Sequence, residues 1–474
     1  MLLSLLLLAS TGPAAAEFSV GCCALKITPT LQAGRPVWLA GFGQHRSAEG
    51  IRDDLWVRAM VISDGGPGLA IVSLDLIGLF NESVTRIRER LGVGTARPVV
   101  DDLLVACTHT HSAPDTIGIW GPNNHTTGVD RVWVDQVLRR TVEAVETASR
   151  RRVPARLFAG CGKTGGLTGD SRKPLVLDES LGVLQARTPR GRAVATVVNW
   201  ANHPEALGKA NRRVSSDFCH RLIAEIESRT GAPAIFLNGA IGGLVTPLGV
   251  PLRDPVTGRP VAPESGAHAD RIGTLAALEA LNVAAGAREL RRQRLELNRS
   301  TLHVPMENPV YRAALAIGVI ERQVFSGDAP LTGLLGSLAG GSVRTEIGIH
   351  RIGELVIGAV PGELYPELAV GTYQEPQDPA ADFPGARREP ALRPLLESLA
   401  GSPDGPRCAF VVGLANDEIG YIIPRSQWDD RAPYCYGRSR SQYGEGNSLG
   451  PRTAPILMEA FQQLAKTVRP APGR

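Results

Sequence analysis

Along the chain, short continuous runs of apolar, largely β-branched residues alternate with longer stretches whose apolar positions recur every three to four residues, the two periods of strands and helices. Residues 57–62 and 69–76 flank the turn Asp64-Gly65-Gly66-Pro67-Gly68, and the second run is nearly all apolar, as a strand covered on both faces is. Further strands are predicted over 103–107, 181–186, 194–200, 234–237, 354–360 and 408–414. Asn81 is placed to cap a helix reaching Leu91, with Ile87 and Leu91 inward. Within 129–149, Val134, Val137, Leu138, Val142 and Val145 fall on one helical face. Ser216 is the expected N-cap of a helix through Ile226 that Gly231 stops, and a closing helix spans about Thr453 to Val468. Two Pro-rich stretches, 248–266 and 375–406, break the rhythm and read as surface excursions or lids. The alternation predicts an α/β fold: one large domain with a mixed β-sheet flanked by helices.

Composition supports a packed protein: of 474 residues, 43% are hydrophobic and 21% charged, which excludes disorder as the main state. The net charge of +4, without a basic stripe interleaved with aromatics, argues against a nucleic-acid partner. The Leu-rich opening followed by Ala14-Ala15-Ala16 predicts a signal peptide over residues 1–16 and a secreted or periplasmic mature domain over 17–474. The run is shorter than the ~20 residues that span a bilayer. Cys22 follows closely, but Glu17 and Phe18 interrupt the small-residue pattern of lipoprotein processing. Seven cysteines without any CxxC suggest no thiolate metal site; export permits a disulfide, and Cys107 and Cys219 lie in core-like runs.

Two of the nine histidines stand together in Thr108-His109-Thr110-His111, directly after the predicted strand 103–107. A period of two places His109 and His111 on one face, and the carboxyl end of a buried strand is where open α/β sheets put their sites. His203 repeats the geometry after 194–200, in Asn199-Trp200-Ala201-Asn202-His203-Pro204. Pro361-Gly362-Glu363 then places a carboxylate after 354–360. Two His and one Glu are a catalytic zinc ligand set with one position left for water. No G-x-S-x-G elbow supports a serine hydrolase.

The order of these pieces resembles the catalytic domain of the neutral and alkaline non-lysosomal ceramidases. The family's THTHSGPG segment reads Thr108-His109-Thr110-His111-Ser112-Ala113-Pro114-Asp115. Its His and (V/S)SxD segment read His203 and Val214-Ser215-Ser216-Asp217, its PGE turn Pro361-Gly362-Glu363, and its N-x-x-x-G-Y segment Asn416 to Tyr421. The opening is similar too: Gly21 to Pro29, Ala40-Gly41-Phe42-Gly43, Gly50-Ile51, Arg58-Ala59 and Ser73-Leu74-Asp75. The resemblance implies a Zn²⁺ held by His109, His203, Glu363 and Tyr421, with His111 assisting proton transfer. It also has departures. The family's Gly-Asp-Val-Ser-Pro reads Gly243-Leu244-Val245-Thr246-Pro247, so Thr246 takes the place of an active-site serine and Leu244 replaces a carboxylate. An Asn-Arg-Ser turn is altered to Asp170-Ser171-Arg172, and no counterpart of the family's C-terminal immunoglobulin-like domain is expected.

The expectation is therefore a secreted zinc amidohydrolase that attacks the amide of N-acylsphingosine or a related lipid with metal-activated water. The alternatives are a zinc hydrolase of another amide or ester, and a secreted binding protein with a degenerate metal site. The partner is a lipid or other small amide, with transient contact to a membrane surface; the oligomeric state stays open. The stretches 309–320 and 330–338 are apolar enough to line a cleft for alkyl chains, or to be plain helical core.

Overall fold

The computed structural model describes residues 18–331, 340–400 and 408–468. The predicted signal segment 1–16 and most of 330–338 lie outside these residues. Three larger sheets, rather than one, form the mixed α/β core. In the first, the order is Asp102–Cys107, Leu69–Leu74, Trp56–Ser63, Ser19–Lys26 and Val153–Pro154. In the second it is Ala234–Asn238, Ala193–Trp200, Ser180–Arg187, Arg156–Lys163 and Arg288–Glu289. The third carries Ser342–Ile352, paired with both Leu295–Pro305 and Leu355–Ala359, and ends at Ala409–Val412.

Each sheet ends the same way. Its edge strand runs parallel to its neighbour, while the remaining pairings are antiparallel. The three parallel edges meet. Ser73 Oγ donates to Phe236 O at 2.6 Å, Asn199 Nδ2 donates to Val411 O at 3.0 Å, and Val105 N donates to Asn416 Oδ1 at 2.8 Å. The first two bonds join different sheets and the third ties the first sheet to the loop that leaves Ala409–Val412, so the carboxyl ends of all six parallel strands open towards one region. Apolar side chains from all three sheets, among them Ile71, Leu237 and Phe410, form one buried cluster behind it.

Helices cover the outer faces. Arg131–Arg150 packs on Ser19–Lys26 and Trp56–Ser63, with Val137, Leu138 and Val145 buried as the periodicity predicts. Phe218–Thr230 and Gly266–Ala285 pair over the second sheet, and Leu392–Leu399 and Thr453–Thr467 cover the third. Two caps differ from expectation. Asp217, not Ser216, caps Phe218–Thr230, because Ser216 and Ser215 are spent on Asp53. Asn81 is the first helical residue after the N-cap Phe80; its backbone N–H is taken by Asp417 Oδ1 at 3.0 Å. The stretch 375–406 is not purely a surface excursion, since Leu392 and Leu396 are buried against Gly358. Pro309–Ala316, in contrast, is a helix with no buried residue and is not core. Cys161 and Cys408 form a disulfide that ties the second sheet to the third.

Candidate metal centre

His109 follows Asp102–Cys107, His203 follows Ala193–Trp200, and Glu363 follows Leu355–Ala359: one residue from each parallel edge. The His109 backbone has φ 68°, a left-handed conformation that costs a non-glycine residue free energy and persists where surrounding bonds enforce it. Here the N–H groups of Thr108 and His109 donate to Leu74 O and Leu76 O, and His111 N donates to Pro204 O, tying the two histidine loops together.

The tautomers are set by backbone carbonyls. His109 Nδ1 donates to Ile77 O at 2.6 Å, and His203 Nδ1 donates to Val245 O. Each ring therefore presents an Nε2 lone pair. Both lone pairs face the Glu363 carboxylate: His109 Nε2 is 3.6 Å from Oε1 and His203 Nε2 is 3.1 Å from Oε2. Lone pairs facing a carboxylate need a cation or a proton between them. A tetrahedral ion with arms of about 2.1 Å spaces its donors by roughly 3.4 Å, close to the two distances found, so these residues fit a zinc-sized ion. Burial pushes the His109 imidazolium down to about 3, which keeps the ring neutral, the form able to bind a cation.

His111 joins the same group. Its ring centre is 5.1 Å from that of His109 and 5.4 Å from that of His203, and donor atoms of the three rings lie within 4.8 Å of one another. His111 Nδ1, however, turns to Glu205 Oε2 at 3.1 Å. Burial pushes the Glu205 carboxyl up, but His111, with His203 and the Thr246 hydroxyl, outweighs it and holds it down at about 2. Thr246 thus reaches the site as a hydrogen-bond partner of Glu205, while its oxygen also accepts from Leu248 N at 3.0 Å. Glu205 was not singled out in the sequence; the available signal was a carboxylate two residues beyond a strand-end histidine. Arg46 was missed as well. Buried, it donates to His111 O and Ala40 O and stacks on Phe42, whose ring meets His111 edge-on at 4.9 Å. Gly41 explains part of the Ala40-Gly41-Phe42-Gly43 segment: with φ 103°, a Cβ there would stand 2.3 Å from His111 Cγ.

Two solved structures share this arrangement of the chain. A ceramidase complexed with C2 superposes with a TM-score of 0.69 at 17% identity, over 97% of this chain and 77% of that one. The neutral ceramidase from Pseudomonas aeruginosa gives 0.68 at 18% identity, over 97% and 76%. The chain has the neutral ceramidase fold. No protein-family model and no curated protein matches the sequence.

Within the neutral ceramidase fold the other expected residues are placed as follows. The short strand Tyr421–Ile422 pairs in parallel with Glu363–Leu364, with Glu363 and Tyr421 in register, so their side chains leave on the same side. Burial, reinforced by Glu363, pushes the Tyr421 phenol well above its ordinary range, so only a nearby cation can ionise it. Arg172 pairs with Glu445 at 3.0 Å and stacks over Tyr365 at 4.7 Å, and Tyr365 in turn meets Tyr421 edge-on. Leu244 lies on the cleft wall with φ 62°. The cleft above the site holds about 500 Å³. Ile77, Phe80, Ile117 and Trp120 line it, as do Tyr311 and Leu315 of Pro309–Ala316, which also pack against the core behind. Among the described residues, no helix is long and apolar enough to cross a membrane.

Proposed function

We propose that the chain is a zinc-dependent amidohydrolase that cleaves the amide of N-acylsphingosine or a related lipid into a fatty acid and an amine. The observation that carries the reading is the convergence of two Nε2 lone pairs and one carboxylate at the base of an apolar cleft. His109, His203 and Glu363 hold the ion, with Tyr421 as fourth ligand. Bound there, zinc would supply Lewis acidity and lower the pKa of a neighbouring water towards ~7. His111 takes the proton of the attacking water and returns it to the leaving amine as the C–N bond breaks, with Glu205 beside its ring and Arg46 holding its backbone carbonyl. The apolar walls receive an alkyl chain and exclude water from the reacting carbonyl.

The neutral ceramidase fold supports a ceramide-like substrate. Leu244 and Thr246 support a second reading, a different amide or ester, because they alter the polarity beside the site. Val310 and Ile317, 64% and 55% exposed at the cleft-lining helix, support brief contact with a membrane surface. The Cys161–Cys408 disulfide supports export, since such bonds persist in oxidising compartments.

Metal analysis of purified protein, followed by incubation with a fluorescent ceramide beside short N-acyl amines and esters, tests the proposal. About one zinc per chain and turnover of the ceramide are expected. Turnover of the short substrates alone would favour the second reading, and zinc retention with no turnover at all would leave a binding protein.

A further inference from the structure

Among the polar side chains of the cleft that the reaction described above does not use, Glu418 carries a buried oxygen without a partner. Glu418 lies in the loop between Ala409–Val412 and Tyr421–Ile422, and its side chain enters the apolar part of the cleft. Gly78 gives it room: a Cβ on Gly78 would stand 2.8 Å from Glu418 Cγ and 3.2 Å from Ile117 Cδ1. Glu418 Oε1 accepts from Gly420 N at 2.8 Å. Oε2 has no hydrogen-bond partner, although the residue is only 9% exposed. The nearby cation does not serve it, because Arg322 donates to the Glu418 backbone carbonyl at 3.1 Å and to the Asp417 carboxylate.

A buried polar oxygen without a partner is destabilising, and a ligand group that satisfies it binds more tightly for doing so. We infer that Glu418 is a specificity residue of this cleft that hydrogen-bonds a hydroxyl group of the substrate. The inference rests on the amidohydrolase reading. A hydroxyl fits better than an ammonium, because Arg322 already supplies a cation at the Asp417-Glu418 segment and the apolar Ile77, Phe80 and Ile320 of the cleft penalise a buried charge. A carboxylate accepts from a hydroxyl, and a protonated carboxyl both donates to it and accepts from it. The hydroxyl can sit on the amine side or the acyl side of the amide, with the same chemistry.

The test is equilibrium binding of three fluorescent amides to the full chain carrying His111→Ala, which suppresses turnover. The probes are an N-acyl amino alcohol, an N-(2-hydroxyacyl) alkylamine, and an N-acyl alkylamine without a hydroxyl. One hydroxylated probe is expected to bind at least about tenfold more tightly than the bare one, and which one does so identifies the side. Adding Glu418→Leu should reduce that preference to within about twofold without weakening the bare probe, while Glu418→Gln, with a donor and an acceptor, retains it. Equal binding of all three probes to the Glu418 form, or a preference that survives Glu418→Leu, overturns the inference. Hydrolysis of the same probes by the His111 enzyme reports separately on the amidohydrolase reading.

Discussion

His111 Nδ1 lies 3.1 Å from Glu205 Oε2, with both side chains only 10% exposed. The carboxylate is two residues beyond His203, so the loop that brings one candidate ligand also brings the partner of the neighbouring imidazole. A proton taken up by His111 is stabilised by this anion, as the role proposed for His111 requires.

Replacing Glu205 with Gln therefore lowers kcat by about 10²-fold, the lower end of what general acid-base groups contribute. KM and zinc content stay close to those of the parent. Steady-state kinetics and metal analysis on the same preparation check this. Loss of zinc would instead show that Glu205 acts through His203.

Metal loading depends on pH in a stated direction. His109 and His203 bind a cation only as neutral rings. Burial lowers the His203 pKa, but Glu363 and Glu205 outweigh it and the net shift is upward, so acid protonates this ring early. At fixed total zinc, occupancy is expected to be full in mild alkali and to fall as the pH drops, the fall starting earlier than for an ordinary imidazole because the His203 shift is upward. His109→Ala and His203→Ala lose the ion at every pH, whereas His111→Ala keeps it. Chelator competition across the pH range measures this; loss in His111→Ala would show three imidazoles holding the ion.

His109, His203 and Glu363 were legible because each directly follows a buried apolar run, and the fold brings the ends of those runs together. Tyr421 carried no such signal and came from family resemblance. The contact of His111 with Glu205 depends on how two loops meet, which no local pattern encodes. Ser342–Ile352 escaped the period-two reading because polar residues occupy buried positions along it, Glu346 being buried by pairing with Arg88 at 2.5 Å, and Leu295–Pro305 escaped because it is half-buried or exposed at every position but Val304. The helix Gly266–Ala285 escaped because its buried face is largely alanine and glycine, which gives little hydrophobic contrast.

The disulfide makes a prediction about stability. Cys161 and Cys408 are separated by 247 residues, and crosslinking so long a loop restricts the unfolded chain strongly. Replacing both by Ser is expected to cost about 3–5 kcal/mol. For a chain of this length that lowers Tm by roughly 4 °C. Calorimetry in non-reducing buffer detects the shift, and adding a reductant should move the parent but not the double variant. Equal Tm values for the two proteins would show that the bond contributes nothing to stability.

Asp115 connects the histidine segment to the cleft wall. Its Oδ1 accepts from Ile117 N and Gly118 N, both at 2.9 Å, and its Oδ2 accepts from Trp120 N at 3.2 Å. Asp115→Ala leaves three amides without this acceptor and loosens the wall formed by Ile117 and Trp120. KM for a lipid amide should rise about tenfold while kcat stays within about twofold, since the reacting groups are untouched. Asp115→Asn, which keeps one acceptor oxygen, restores part of the loss. Burial pushes this carboxyl up to about 6, against the pull of the backbone amides. The native state therefore holds a proton that the unfolded chain releases near about pH 4, and the group's contribution to stability falls as the pH rises from about 4 to about 6. Urea unfolding at several pH values should show that slope in the parent and its absence in Asp115→Asn; the same slope in both would assign it to another buried carboxyl.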